Sequence, residues 1–357
     1  MSVTTRLSPA DVALVSTIYD PPRAHRPWKV SEALPEGATT YYSLGRWALV
    51  DALRACGVHP GDRVLVPALI CREVLASINV VGAIALFYPV SPQLCADFNP
   101  SDLGLAKAIL AVNYFGFPQE LGVFRNYCER TGAALIEDNA HGLFSRDEHD
   151  QLLGSRGDAG VFSFRKTIAV PDGGALVLKE GREMPQPEQL RQTSTSPSRY
   201  RVKQAFRRGA GRLGPLRTHG AISAVRQLRR MLTGDALPVG APDGETRIPA
   251  GPNPGAIISR ALTVAEPDLE VRRRRALYEL AGRIIENGGA VPVFRCLPKN
   301  TVPYGFPIFV PPAHLSGTAA DVGRHGFQLS RWPDLPSAVV PEAPEHYRSL
   351  MVLPFLW

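Results

Sequence analysis

No stretch of this 357-residue chain approaches the ~20 consecutive apolar residues that a membrane-spanning helix needs. The opening run MSVTTRLSPADVALVSTIYDPPRAHRPW has no long apolar core either, so no secretory leader is expected. Cysteine is scarce and scattered: the five thiols stand at Cys56, Cys71, Cys95, Cys128 and Cys296, with no CxxC spacing. That distribution argues for reduced thiols in a cytoplasmic protein and against a zinc site. The eight histidines and the acids form no ligand cluster, so no catalytic metal is expected. Internal repeats are absent as well. What is present is ample apolar content, 45% of residues, enough for a large core and two domains in one subunit.

Acidic residues are missing from one long segment. Between Arg191 and Arg230 the chain carries Arg191, Arg199, Arg201, Lys203, Arg207, Arg208, Arg212, Arg217, Arg226, Arg229 and Arg230 and no Asp or Glu. This segment accounts for the whole formal charge of +7, because the remainder is net acidic. Three readings compete. It is a solvated connector whose helix AISAVRQLRRML buries Ile222, Val225, Leu228 and Leu232, or a basic wall for an anionic substrate group, or a surface for nucleic acid. The third fits least, since the basic residues are not interleaved with aromatic ones, and a nucleic-acid partner is not expected.

Hydrophobic periodicity alternates between strand and helix. Strands are predicted at 63–69, 83–90, 107–115, 133–138, 160–164 and 174–179, and helices at 45–56, 72–80 and 120–131. This alternation predicts an α/β fold with a mostly parallel sheet covered on both faces. A helix is predicted at 269–285, followed by short strands around VPYGFPIFV. The expected organisation is a large domain over 1–250, with 189–250 as an Arg-rich and Pro/Gly-rich connector, and a smaller α+β domain over 251–357.

One lysine has a setting that the other lysines lack. In GVFSFRKTIAVPDGGALVL (160–178), Lys166 follows a strand-like segment and precedes a Pro-Asp-Gly-Gly turn. Upstream, AALIEDNAH (133–141) is an apolar strand ending on Asp138 and His141. A strand-end acid, a strand-end lysine and a glycine turn are the parts that hold pyridoxal phosphate as a Schiff base. The bland reading of Lys166 is a solvated lysine at the end of a strand, and that of Asp138 is a helix N-cap. His141 reads equally as a loop or core histidine with one hydrogen bond. Glu137 should face away from Asp138 by strand alternation and is assigned no catalytic role. SLGRWALVDALRAC (43–56) reads as a turn and a helix, where a starting glycine leaves N–H groups facing an anion.

Several of these segments resemble the DegT/StrS family of pyridoxal-phosphate enzymes, the sugar aminotransferases of the aspartate-aminotransferase fold (fold type I). The stretches that carry the resemblance are 43–71, 82–90, 111–121, IEDNAHG (136–142), GDAGVFSF (157–164) and KTIAVPDGGAL (166–176), with weaker echoes at 302–310 and 326–336. The resemblance implies a three-layer domain with a smaller C-terminal domain, and pyridoxal 5'-phosphate bound to Lys166. It implies that Asp138 accepts the pyridine N–H, that His141 lies by the ring, and that Ser163, Gly45, Arg46 and Trp47 surround the phosphate. Cys71 falls where relatives often stack an aromatic ring. Arg165 falls where they carry a longer, often His-Pro, connection, and NYFG (113–116) stands for their His-x-x-Gly. Asn253 is a candidate for the phosphate-binding Asn that relatives supply from the partner subunit; its bland reading is a turn residue.

The function expected from the resemblance is transamination of a keto-sugar nucleotide or related secondary-metabolite ketone, with an amino donor and a keto acceptor, in a cytoplasmic homodimer with a shared active site. Two alternatives stay open: another reaction on the same cofactor (dehydration, decarboxylation, elimination, oxidation) and a non-catalytic regulatory or binding homologue.

Overall fold

A computed structural model describes residues 8–20, 29–36, 38–183, 185, 214, 216–221, 224, 243–249, 251–255, 258, 262, 267–285 and 289–355. Most of the Arg-rich segment, including Ile222, Val225, Leu228 and Leu232 of the expected helix, lies outside the described residues.

The first sheet is made of β1 (Thr39–Tyr42), β2 (Arg63–Pro67), β3 (Ile84–Tyr88), β4 (Ala108–Val112), β5 (Ala134–Asp138), β6 (Ala159–Ser163) and β7 (Gly174–Leu178). Its order is β1-β7-β6-β5-β4-β2-β3. Strands β3, β2, β4, β5 and β6 run parallel, while β7 is antiparallel to β6 and β1 to β7. The helices that cover it are α2 (Gly45–Ala55), α3 (Leu75–Val81) and α4 (Gly122–Thr131).

Alternation along the strands sorts the core into two layers. Val64, Val66, Leu110, Ile136 and Val161 pack with Leu49, Val50 and Leu53 of α2, while Leu65, Ile109, Leu135, Phe124 and Tyr127 belong to the opposite cluster. Both faces are therefore buried, as a parallel sheet requires. The same period-2 rule places Asp138 and Ser163, two steps beyond Ile136 and Val161, on the α2 side. Glu137 is on the other side, fully buried, with Arg156 Nη2 at 2.8 Å and Arg156 Nε at 3.1 Å from its carboxylate. Its expected separation from Asp138 holds, and its role is an internal ion pair.

A second, antiparallel sheet has the order β10-β11-β9-β8, from β8 (Val291–Pro292), β9 (Gly305–Phe309), β10 (Ser330–Arg331) and β11 (Leu350–Pro354). Helix α5 (Pro267–Ile285) packs on β8 and β9 and against α6 (Leu315–Arg324), and α7 (Glu345–Ser349) leads into β11. The N-terminal helix α1 (Pro9–Tyr19) lies against α5.

Two boundaries differ from the sequence reading by three residues, more than any other. The strand predicted to run to 115 stops at Val112, and residues 114–116 form a 3-10 turn in which Phe115 is left-handed (φ 56°). Residues 72–74 also form a 3-10 turn, so the helix predicted from Arg72 begins at Leu75. No helix starts at Asp138; its Oδ1 instead accepts from Ala140 N–H at 2.9 Å, a local turn of the Asx kind. No helix among the described residues is long and apolar enough to cross a membrane.

Candidate active site

The candidate residues converge at the C-terminal edge of the parallel strands, where open α/β sheets bind ligands. Asp138 ends β5 and Ser163 ends β6. Helix α2 points its N-terminus at the same edge. Leu44, its N-cap, offers no side-chain bond, and the first intrahelical donors are Trp47 and Ala48. The N–H groups of Gly45 and Arg46 have no acceptor among the described residues, which makes this helix end a polarised anion cradle. Glycine is required here by close approach. A Cβ on Gly45 would lie 3.0 Å from Phe162 O and 3.5 Å from Ser163 Cβ, and one on Gly174 would lie 2.5 Å from Gly45 N. Both glycines let the helix end sit directly over β6 and β7. Ser163 is 5% exposed, and its hydroxyl has no partner among the described residues.

Lys166 ends a 3-10 turn, Phe164–Lys166, that leaves β6. Its Nζ is 3.1 Å from His141 Nε2. On the far side of that ring, Phe115 N–H donates to Nδ1 at 3.2 Å. A neutral imidazole that accepts at Nδ1 carries its proton on Nε2. The hydrogen-bond pattern therefore makes Lys166 the acceptor, an unprotonated amine. The electrostatics agree. Burial, then repulsion from Lys166 when it is protonated and from Arg274 and Arg165, holds His141 well below its usual range. Burial lowers Lys166 too, although Cys71 and Asp138 pull the other way and Arg165 adds to the lowering. The left-handed backbone of Phe115 is the strained element that aims its N–H at the histidine, and strain of this kind collects at working sites.

Asp138 keeps Oδ2 without a hydrogen-bond donor among the described residues. Burial raises its pKa, against the opposing effects of Lys166 and the Ala140 N–H. A donor placed against Oδ2 would restore the anion. Aromatic rings enclose the centre: Tyr304 stacks on His141 (centroids 4.2 Å, planes 9° apart) and Trp332 lies 4.6 Å from Phe115. Cys71 faces the same space, and burial pushes its thiol up to about 12. Arg46 is lowered by burial and by Arg165, and neither arginine has an ion-pair partner within 4 Å among the described residues. Trp47 is half-buried in the first turn of α2, beside the cradle. Asn253 sits in the segment 251–255, which docks on the turn before α2: Ser43 N–H donates to Pro252 O at 2.8 Å and Ser43 Oγ to Gly251 O.

The arrangement fits pyridoxal phosphate. It offers a helix-end cradle kept clear by glycine, a buried hydroxyl beside it, a carboxylate oxygen awaiting a donor, and a free amine. Four contributors escaped the sequence reading. Phe115, Tyr304 and Trp332 lie in segments that carried a resemblance, NYFG, VPYGFPIFV and GFQLSRWPDLP, but nothing local marked them as ring neighbours. Arg274, fully buried under Lys166, belongs to the helix predicted at 269–285, where the sequence reading gave it no role.

The chain is similar to known aminotransferases. A putative L-glutamine:3-amino-2,3-dideoxy-scyllo-inosose aminotransferase of Streptomyces kanamyceticus is 31% identical over 144 residues, 39% of this chain and 34% of that protein. A UDP-N-acetyl-3-dehydro-alpha-D-glucosamine 3-aminotransferase of Acidithiobacillus ferrooxidans is 31% identical over 143 residues, 38% of each chain. The matches thus span only about a third of the length of these curated relatives. Among solved structures, the putative sugar aminotransferase Spr1654 of Streptococcus pneumoniae, in its PLP form, superposes with a TM-score of 0.61 at 16% identity. That superposition covers 99% of this chain and 92% of the other. The fold is accordingly the aspartate-aminotransferase-like fold type I, as expected. The sequence pattern of the DegT/DnrJ/EryC1/StrS aminotransferase family matches residues 39–232, more than half the chain, and the chain belongs to that family.

Proposed function

We propose that this chain is a pyridoxal-phosphate-dependent aminotransferase of a keto-sugar nucleotide or related secondary-metabolite ketone. The observation that carries the reading is the Lys166 amine, 3.1 Å from a histidine whose other nitrogen is already an acceptor. An amine held unprotonated is a nucleophile at neutral pH. Two relatives are named for amination of an inosose and of a UDP-linked dehydro sugar, and this supports the acceptor class.

In this reading the N–H groups of Gly45 and Arg46, the Ser163 hydroxyl and the first turn at Trp47 hold the phosphate. Asp138 Oδ2 accepts from the pyridine nitrogen and keeps it charged. When bound, the cofactor supplies an electron sink for the substrate carbon that loses its proton. Lys166 binds the cofactor and then carries that proton, and His141 fixes the position of the Lys166 Nζ. Cys71 and the aromatic wall exclude water. Arg165 and Arg46 receive an anionic group of the donor or acceptor, and Asn253 is the candidate for the phosphate-binding Asn that one subunit supplies to the other. The proposal includes the division at 250/251, a homodimer with a shared site, and a cytoplasmic setting that suits five free thiols.

The test is an absorbance spectrum of the protein with pyridoxal phosphate, for wild type and Lys166→Ala. A lysine-linked band in wild type alone, converted by glutamate or glutamine to the spectrum of the aminated cofactor, supports transamination. A band that neither amino acid changes overturns transamination and leaves another reaction on the cofactor.

A further inference from the structure

Helix α5 carries the run Arg272–Arg275, and Arg274 is the only one of the four with no exposure. All five of its N–H donors are used. Nε donates to Glu270 Oε1 at 2.6 Å; Nη1 donates to Pro303 O at 3.0 Å and Tyr304 O at 3.3 Å; Nη2 donates to Lys166 O at 2.8 Å and Thr167 O at 2.9 Å. One rigid planar group thus ties three pieces of chain together, α5, the lysine turn and the strand entry at 303–304.

The two carbonyls of the lysine turn explain why such a group is needed. The 3-10 turn ends at Lys166 with no helix to follow, and its last carbonyls have no regular partner. Arg274 supplies it. The same guanidinium holds the main chain of Tyr304, whose ring stacks on His141. The two sides of the Lys166–His141 contact are therefore referenced to one side chain.

We propose that Arg274 is a positioning residue that sets the Lys166 turn against Tyr304, and thereby maintains the Lys166–His141 contact in which the lysine is a free amine. This rests on the reading of Lys166 as the working amine. The groups facing Lys166 are His141 and Asp138 from the end of β5, Cys71 and Glu73 from the segment after β2, and Arg165 from its own turn. Arg274 also bears on His141 through its charge, which a lysine at 274 preserves.

The experiment is trace acetylation of the cofactor-free protein with acetic anhydride across pH, with the Lys166 peptide quantified by mass spectrometry. Wild type, Arg274→Lys and Arg275→Lys are compared. Arg275 sits on the same helix and donates to two carbonyls, Pro298 and Thr301, without touching the lysine turn. A lysine at 274 keeps the charge but cannot span both carbonyl pairs, so Lys166 drifts from His141 and toward solvent. Its labelling profile should shift to higher pH, with about a tenfold slower rate at neutral pH for each rise of one in pKa. Arg275→Lys should label as wild type. Should Arg274→Lys fail to fold, Arg274→Met removes the buried charge and leaves Glu270 paired with Arg273 at 3.1 Å. A wild-type Lys166 profile in a folded Arg274 variant overturns the proposal. Because labelling needs no cofactor, a protein that binds no pyridoxal phosphate would sink the functional reading while leaving this outcome interpretable.

Discussion

Replacing Gly174 by alanine tests whether the helix-end cradle binds the cofactor phosphate. The new Cβ would stand 2.5 Å from Gly45 N, 2.6 Å from Leu44 C and 2.7 Å from Gly45 Cα. All three are backbone atoms, so no side chain can swing aside. Restoring ordinary contact requires a retreat of about 0.9 Å by the start of α2 or by β7. Overpacking of this kind costs about 1–3 kcal/mol. The cofactor-free protein relieves it by displacing the helix end, and binding must bring that end back. The affinity for pyridoxal phosphate should therefore fall by about five- to 150-fold, measured by equilibrium dialysis. Gly104→Ala, whose Cβ would meet nothing within 4 Å, is the matched control and should bind as wild type. Affinity within about twofold of wild type in Gly174→Ala would refute the role of the α2 N-terminus in binding.

The adjacent carboxylates should behave oppositely in urea unfolding. Glu137→Ala leaves Arg156, 6% exposed, with Asp147 at 3.5 Å as its remaining ion-pair partner, and should cost about 3 kcal/mol. Asp138→Ala gives up one hydrogen bond and should cost about 1 kcal/mol or less; equal losses would undo the distinction. Lys166→Met should raise the melting temperature of the cofactor-free protein at neutral pH. The folded pKa lies below 10.5, so between the two values the unfolded chain binds more protons and stability rises with pH. The gain over wild type should accordingly shrink toward pH 10.5, and a pH-independent difference would contradict the lowered pKa. Arg165→Met should leave melting unchanged, since Arg165 is exposed and makes no ion pair among the described residues, yet raise KM for an anionic acceptor by about 10- to 150-fold. An unchanged KM would remove Arg165 from the substrate site.

What was legible in the sequence was local. Asp138 and Ser163 each end a strand of clear period, His141 and Lys166 follow them by three residues, and strand ends of a parallel sheet meet at one edge whatever their separation in sequence. The α2 cradle was legible for the same reason. Phe115 was misread as strand because apolar residues run on past Val112. The left-handed turn there depends on Gly116, whose Cβ would stand 2.6 Å from Val302 O, a contact nearly two hundred residues away. Arg274 was invisible because four of its five hydrogen bonds go to carbonyls 29 to 108 residues distant, and no side-chain pattern records a carbonyl. Helix α1 carried a readable signal that went unused. Ser8 caps it, Pro9 starts it and Asp11 closes the capping box. Val15 and Ile18 form its buried stripe, short enough to pass for coil.

The central claim is that Lys166 is the residue joined to pyridoxal phosphate. The most direct measurement is borohydride reduction of the protein with the cofactor, followed by proteolysis and mass spectrometry of every lysine peptide. The account expects the pyridoxyl group on Lys166, near one per chain, and lost in Lys166→Ala. Label on Lys179, Lys107 or another lysine, or none at all, would contradict it.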